Sequence, residues 1–224
     1  MVAAPELFHR QPAQVEASRT ALLRDTEIIA DINATVAHLR TMRMSVTPLG
    51  IVGFCMGGRV AYLMACVQPE FKAAAVFYGG NIFKPLGEGP SPFERSSGIQ
   101  SPMIGFFGVE DGNPSPEDVR KIDAELTRLG KWHEFHLYNN AGHAFQNFIS
   151  PERYRERPAR ASWHEMLAFF AEYLKGGGAS QGRRQKEEKG KRANIWRSKR
   201  VVSPHFSAFI LCPGAAQLFR DVLA

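Results

Sequence analysis

A chain of 224 residues with 44% hydrophobic and 11% aromatic content holds enough apolar material for a sizeable core, which excludes wholesale disorder and a collagen-like class. Three cysteines, Cys55, Cys66 and Cys212, are too few and too widely spaced for a disulfide framework or a zinc site, and no run of about 18 apolar residues occurs, so the expected setting is cytoplasmic with no membrane span and no signal peptide. The formal charge of +6 belongs to one segment: residues 1–174 carry 17 basic and 19 acidic side chains, residues 175–200 carry 10 and 2, and residues 201–224 one of each, so no nucleic-acid-binding face is expected on the domain.

Along the chain, Asp25–Arg43 places Ile28, Ile29, Ile32, Val36 and Leu39 at three- and four-residue intervals, opened by acids and closed by bases, which predicts a helix. Pro48 ends it, and the apolar run Leu49–Phe54 reads as a strand buried on both faces of a parallel sheet. A helix over Gly57–Val67, a strand over Ala73–Tyr78, a turn-rich loop from Gly79 to Pro102 and a strand over Met103–Gly108 follow. The next helix, Pro116–Leu129, has Ser115 as N-cap, Pro116 at its first position, Glu117 and Asp118 in its first turn and Gly130 just past its end. A strand over His133–Tyr138 and a helix from about Arg160 to Leu174 complete an alternation that predicts an α/β fold with a doubly wound, mainly parallel sheet. Beyond Lys175, Gly176-Gly177-Gly178 opens a Gly/Gln/Lys/Arg-rich stretch that cannot bury enough surface to order itself. Its apolar end, Val201–Ala224, is too short and too interrupted by Pro204 and Pro213 to span a membrane.

The strongest local signal is GFCMGG, residues 53–58, between the first buried strand and the helix after it. A nucleophile elbow is a strained strand-to-helix turn that needs small residues two positions either side of the nucleophile, and Gly53 and Gly57 meet that need around Cys55. At a helix N-terminus the dipole and the free N–H groups favour thiolate over thiol. Taken alone, the segment is equally a buried cysteine at a Gly-rich strand end. Two further strand ends carry titratable groups: Val109-Glu110-Asp111-Gly112 after one strand, and Asn139-Asn140-Ala141-Gly142-His143 after another. Active groups of open α/β sheets gather beyond the carboxyl ends of strands, and the order nucleophile, acid, histidine is that of the α/β-hydrolase triad. His143 would act as base and Asp111, with a shorter side chain than Glu110, would fix its tautomer. Alone, Asp111 is a loop cap and His143 a solvent-facing loop residue; three strand ends in agreement favour the triad. Cys66 and Cys212 lack the elbow context, and His133, His136 and His164 read as structural.

GFCMGG, the stretch Gly108–Val119 (GVEDGNPSPEDV) and above all Asn140–Asn147 (NAGHAFQN) resemble the dienelactone hydrolase family, cysteine-dependent members of the α/β-hydrolase superfamily. The resemblance covers residues 5–174. It implies Cys55 as nucleophile, Asp111 as acid and His143 as base, the Met56 backbone N–H as an oxyanion donor, and hydrolysis of a small ester or lactone through an acyl-thioester with no cofactor and no metal. It divides the chain into a lid remnant and helix (1–48), the C-terminal part of the hydrolase domain (49–175) and a basic tail with an apolar end (176–224).

Two departures from the family pattern stand out. Ordinary members have about four strands before the elbow, and 54 residues are too few to hold them, so the N-terminal strands, a second oxyanion donor and a glutamate that pairs with the resting thiol are expected to be absent. The elbow strand would then be an unprotected edge that invites self-association. Asn147 lies near where type members place an arginine for a substrate carboxylate, which favours a neutral substrate. Two other readings stand beside the hydrolase. One is an impaired fragment with a partner-binding role or none, and the other takes the basic segment as a tether for nucleic acid or anionic membrane, ranked behind a solvated tail.

Overall fold

In the computed structural model, which describes residues 2–11, 19–42, 47–174 and 208–211, a six-stranded sheet is flanked by helices on both faces. In chain order the elements are β1 (Val2–Ala3), α1 (Asp25–Thr41), β2 (Leu49–Phe54), α2 (Met56–Val67), β3 (Phe71–Phe77), β4 (Met103–Gly108), α3 (Pro116–Arg128), β5 (His133–Tyr138), α4 (Glu156–Leu174) and β6 (Ala208–Leu211), with 3-10 turns at Arg19–Leu22 and Phe93–Gly98. The strand order is β1-β6-β2-β3-β4-β5; β2 through β5 are mutually parallel, while β6 runs antiparallel to both β2 and β1.

Side chains of a strand alternate between faces, and here both faces are apolar. Leu49, Ile51, Ala74, Val76, Met103 and Phe107 meet the stripe of α1 (Ile28, Ile32, Val36, Leu39) and the inner sides of α2 and α3. Val52, Phe54, Ala73, Ala75, Phe77, Ile104 and Phe106 meet Trp163, Met166, Phe169 and Phe170 of α4. At about 1.5–3 kcal/mol for each fully buried large apolar side chain, these two layers hold the sheet that carries the site.

Strands β2, β4 and β5 have the predicted bounds, α1, α2 and α3 depart from theirs by one or two residues at one end, and three features differ further. Helix α4 begins at Glu156 rather than about Arg160, because Pro158 lies in the first turn, where its missing N–H has no helical acceptor to lose; the first i to i−4 bond, Ala159 N–H to Arg155 O, follows at 2.9 Å. Strand β3 starts at Phe71, paired with Leu49, and ends one residue before Tyr78, whose φ of +37° takes it out of the strand. The elbow strand is not an open edge: Gly50 to Gly53 pair with Leu211 to Ala208, so a segment of the tail occupies the backbone groups that an edge would leave free. This corrects the expected edge, and with it the basis for self-association through that strand. Strand β6 lies in the apolar end of the tail; the other residues from 175 onward lie outside the described set.

Helix α3 carries the cap its sequence promised. Ser115 Oγ accepts from the Asp118 N–H at 3.1 Å and Asp118 Oδ2 accepts from the Ser115 N–H at 3.0 Å, a reciprocal pair that satisfies two otherwise unpartnered donors. Ser115→Ala is expected to lower stability by about 1 kcal/mol, read as an earlier urea midpoint with an unchanged slope; an unmoved midpoint would contradict it.

Candidate active site

The site is built at the carboxyl ends of β2, β4 and β5. Cys55 sits between the last residue of β2 and the first of α2 with φ 56° and ψ −117°, a conformation that L-residues rarely adopt and that costs about 1–3 kcal/mol. The turn closes only because residue 53 is glycine: a Cβ there would stand 1.8 Å from the Gly57 carbonyl oxygen. The Cys55 N–H donates to Phe77 O on the neighbouring strand at 3.0 Å, and the Cys55 carbonyl accepts the Arg59 N–H at 3.1 Å. The side chain is thereby left projecting from the turn, next to the N-terminus of α2, where the Met56 N–H has no helical acceptor.

The other two strand ends are joined to each other. Val109 N–H donates to Tyr138 O at 3.0 Å and Glu110 N–H to Ala141 O at 2.9 Å, and the loops abut so closely that a Cβ on Gly108 would lie 2.2 Å from Ala141 O. This contact aims Asp111 inward, with its side chain 2% exposed, while Glu110 faces solvent. Asp111 Oδ1 accepts the Asn113 N–H at 2.8 Å, and its Oδ2 lies 2.9 Å from His143 Nδ1. His143 Nε2 in turn lies 2.9 Å from Cys55 Sγ. The structure thus brings Cys55, His143 and Asp111 into one hydrogen-bonded line. A carboxylate beside Nδ1 fixes that nitrogen as the N–H donor and turns Nε2 toward the sulfur.

Burial pushes the His143 pKa down, but its hydrogen bonds to Asp111 and Cys55 and their negative charges outweigh that effect and hold it at about 10. The folded state therefore binds the His143 proton more tightly than the unfolded chain does. The stability this provides is fully present below the ordinary value of 6.5 and is lost as pH rises through about 10. The stability gap between the parent protein and His143→Gln is accordingly expected to shrink as pH is raised across that window, in paired urea titrations; a gap that widens would contradict the assignment.

The remaining candidates lie elsewhere. Cys66 is buried in α2, its thiol pushed up to about 12 by burial, which keeps it protonated and unreactive; Cys212 lies outside the described residues. His133 pairs with Asp123 at 2.9 Å and His136 with Glu134 at 2.9 Å, both on the β5 edge of the sheet. Among the described residues no cluster of three His, Cys, Asp or Glu is arranged to hold a metal ion, and no helix is long and apolar enough to cross a membrane.

Two residues beside the site escaped the reading of the sequence. Arg59, four positions after Cys55, is fully buried; its guanidinium donates to both carboxylate oxygens of Asp25 at 2.6 and 3.0 Å, and to Asn81 O and Lys84 O at 3.2 and 2.6 Å. Asp25 Oδ2 also accepts the Leu86 N–H at 3.0 Å, so the pair ties α1, α2 and the loop after β3 together behind the elbow. An arginine inside the apolar run Met56–Val67 was the available signal. The second is Tyr78, buried against the His143 ring.

Comparison with known proteins agrees with this geometry. The model of the dienelactone hydrolase family matches residues 1–174. A protein of Synechocystis sp. provisionally named carboxymethylenebutenolidase is 32% identical over 189 residues, covering 77% of this chain and 74% of the relative. One of the same provisional name from Methylorubrum extorquens is 29% identical over 180 residues, and there this chain spans 62% of the relative's length and the match covers 76% of this chain. The crystal structure of a provisionally named dienelactone hydrolase from Klebsiella pneumoniae superposes with a TM-score of 0.69 at 28% identity, covering 75% of this chain and 74% of that one. With a parallel sheet of the α/β-hydrolase type and a family match across the whole helix-flanked region, the chain belongs to the dienelactone hydrolase family.

Proposed function

We propose that the chain hydrolyses small uncharged esters or lactones by a cysteine mechanism, as a carboxymethylenebutenolidase-like enzyme. The observation that carries the reading is the continuous line from Cys55 Sγ through His143 to Asp111, with 2.9 Å at each step. His143 Nε2 holds the proton drawn from the Cys55 thiol, as the raised pKa of the imidazole favours, and the thiolate attacks the carbonyl carbon of the substrate. The oxyanion so formed is next to the amino end of α2, where the Met56 N–H has no acceptor within the helix and the helix dipole favours negative charge. As the tetrahedral species collapses, the carbon–oxygen bond to the alcohol breaks and His143 returns the proton to the departing oxygen, leaving an acyl-thioester on Cys55. His143 then deprotonates a water that attacks the thioester, which releases the carboxylic acid and regenerates the thiol. Asp111 holds the imidazole in the required tautomer and stabilises its cationic form throughout.

The preference for an uncharged substrate rests on the loop that follows His143. Asn147 Oδ1 accepts the Ile149 N–H at 3.2 Å, so its side chain is engaged in the turn, and it carries no charge to meet a carboxylate. The next two residues, Phe148 and Ile149, are exposed and apolar, as is Val109 on the Asp111 loop. The test is turnover of p-nitrophenyl acetate and of an unsubstituted small lactone, set beside a lactone that bears a carboxylate. Hydrolysis of the neutral compounds that is abolished by prior iodoacetamide treatment supports the reading, and a clear preference for the carboxylate-bearing lactone contradicts the substrate class. Absence of hydrolysis with all three contradicts the reading as a whole and favours a fragment without catalytic function.

A further inference from the structure

Tyr78 stands at the carboxyl end of β3, one strand over from Cys55, with a positive φ of +37° that is costly for a bulky side chain. Its backbone N–H donates to Phe106 O at 2.8 Å, which fixes the main chain across β4 in this conformation. The ring is buried among Phe54, Phe77 and Phe145, and its centroid lies 5.4 Å from that of His143 with the planes at 65°. The Tyr78 hydroxyl is buried beside the Gln146 backbone N–H, which opposes the upward push of burial on its pKa. Gln146 is itself buried and anchored on α4, with Nε2 donating to Ala159 O at 3.0 Å and to Ser162 Oγ at 2.9 Å. A connected path therefore runs from α4 through Gln146 and Tyr78 to the imidazole.

The two hydrogen bonds of His143 lie in the plane of its ring. They fix the line that joins Nδ1 to Nε2 but leave the ring free to tilt about that line. A rigid neighbour set across the ring removes this freedom, and Tyr78 occupies that position with its own ring held by Phe54, Phe77 and Phe145. We propose that Tyr78 is a positioning residue, which holds the His143 ring in the orientation that keeps Nε2 directed at Cys55 Sγ. The inference rests on the hydrolase reading above for its catalytic consequence, while the geometry it concerns is independent of any substrate.

The experiment compares Tyr78→Phe and Tyr78→Leu with the parent chain by two readouts: the pH dependence of Cys55 carbamidomethylation by iodoacetamide, and kcat and KM with p-nitrophenyl acetate. Tyr78→Phe keeps the ring and loses the hydroxyl beside the Gln146 N–H, so a several-fold drop in kcat is expected. Tyr78→Leu loses both, and a drop of about 10²-fold is expected, the scale of a misplacement near 1 Å at a reacting group. KM should stay within about twofold in both variants, and the carbamidomethylation profile of Tyr78→Leu should move toward that of an ordinary thiol. Recovery of most of the lost rate by phenylalanine relative to leucine separates ring positioning from loss of fold. Parental kcat and a parental profile in both variants overturn the proposal, as does a change in KM alone. If Tyr78→Leu does not fold, an unchanged kcat and profile in Tyr78→Phe overturn it. A profile that moves in a chain with no esterase activity refutes the hydrolase reading and upholds the positioning role.

Discussion

Cys55→Ala and His143→Ala are each expected to remove nearly all ester hydrolysis, by about 10⁴–10⁶ in kcat, and the double variant is expected to lose little more than either. The reason is that the two side chains act on one proton. Without His143 the thiol has no base at 2.9 Å, and without Cys55 the imidazole has no nucleophile to activate. Asp111→Asn should cost less than either, since an amide still bonds Nδ1 but turns the tautomer preference and withdraws the charge that favours imidazolium. Steady-state kinetics on an activated aryl ester decides the matter. Losses that add in the double variant, each of them modest, would show that the two residues do not work as a unit.

The second large effect is structural. Asp25→Ala leaves Arg59 charged, fully buried and without its two contacts to the Asp25 carboxylate, while the Leu86 N–H loses its acceptor as well. Removing one partner of a buried ion pair costs about 3–5 kcal/mol, against a total stability of about 5–15 kcal/mol for an ordinary domain. Because Arg59 also donates its backbone N–H to the Cys55 carbonyl, loosening it should be felt at the elbow. Replacing the pair together, Asp25→Leu with Arg59→Met, is expected to recover much of the loss, since no charge is then left buried. Urea unfolding of the single and double variants tests this: an Asp25→Ala variant within about 1 kcal/mol of the parent would contradict it.

How far the sequence could be read follows from the range of each interaction. The strands β2, β4 and β5 were legible to the residue because each is a run of apolar or alternating side chains bounded by glycine, proline or asparagine. The helices α1 and α3 were legible from periodicity and, for α3, from a cap encoded within four residues. The positions of Cys55, Asp111 and His143 at three strand ends were likewise local signals, and parallel pairing of β2 to β5 is what brings those ends together. What escaped was non-local. Asp25 reads as a helix-opening acid until Arg59, 34 residues on, is seen beneath it. Tyr78 reads as the last residue of a strand until its φ turns the ring toward His143. The pairing of Ala208–Leu211 with β2 joins segments more than 150 residues apart, and no local pattern in either names the other. The start of α4 at Glu156, ahead of the expected Arg160, is explained by Pro158 in the first turn, which tolerates it.

The central claim, that Cys55 forms a covalent acyl intermediate, is tested most directly by rapid acid quenching of the chain mixed with p-nitrophenyl acetate, followed by peptide mapping in a mass spectrometer. The account predicts an acetyl group on the Cys55 peptide, released by neutral hydroxylamine as a thioester is, absent from Cys55→Ala and formed more slowly in His143→Ala. Hydrolysis that proceeds at the parental rate with no acetyl on Cys55, or with the label on Cys66 instead, would contradict it.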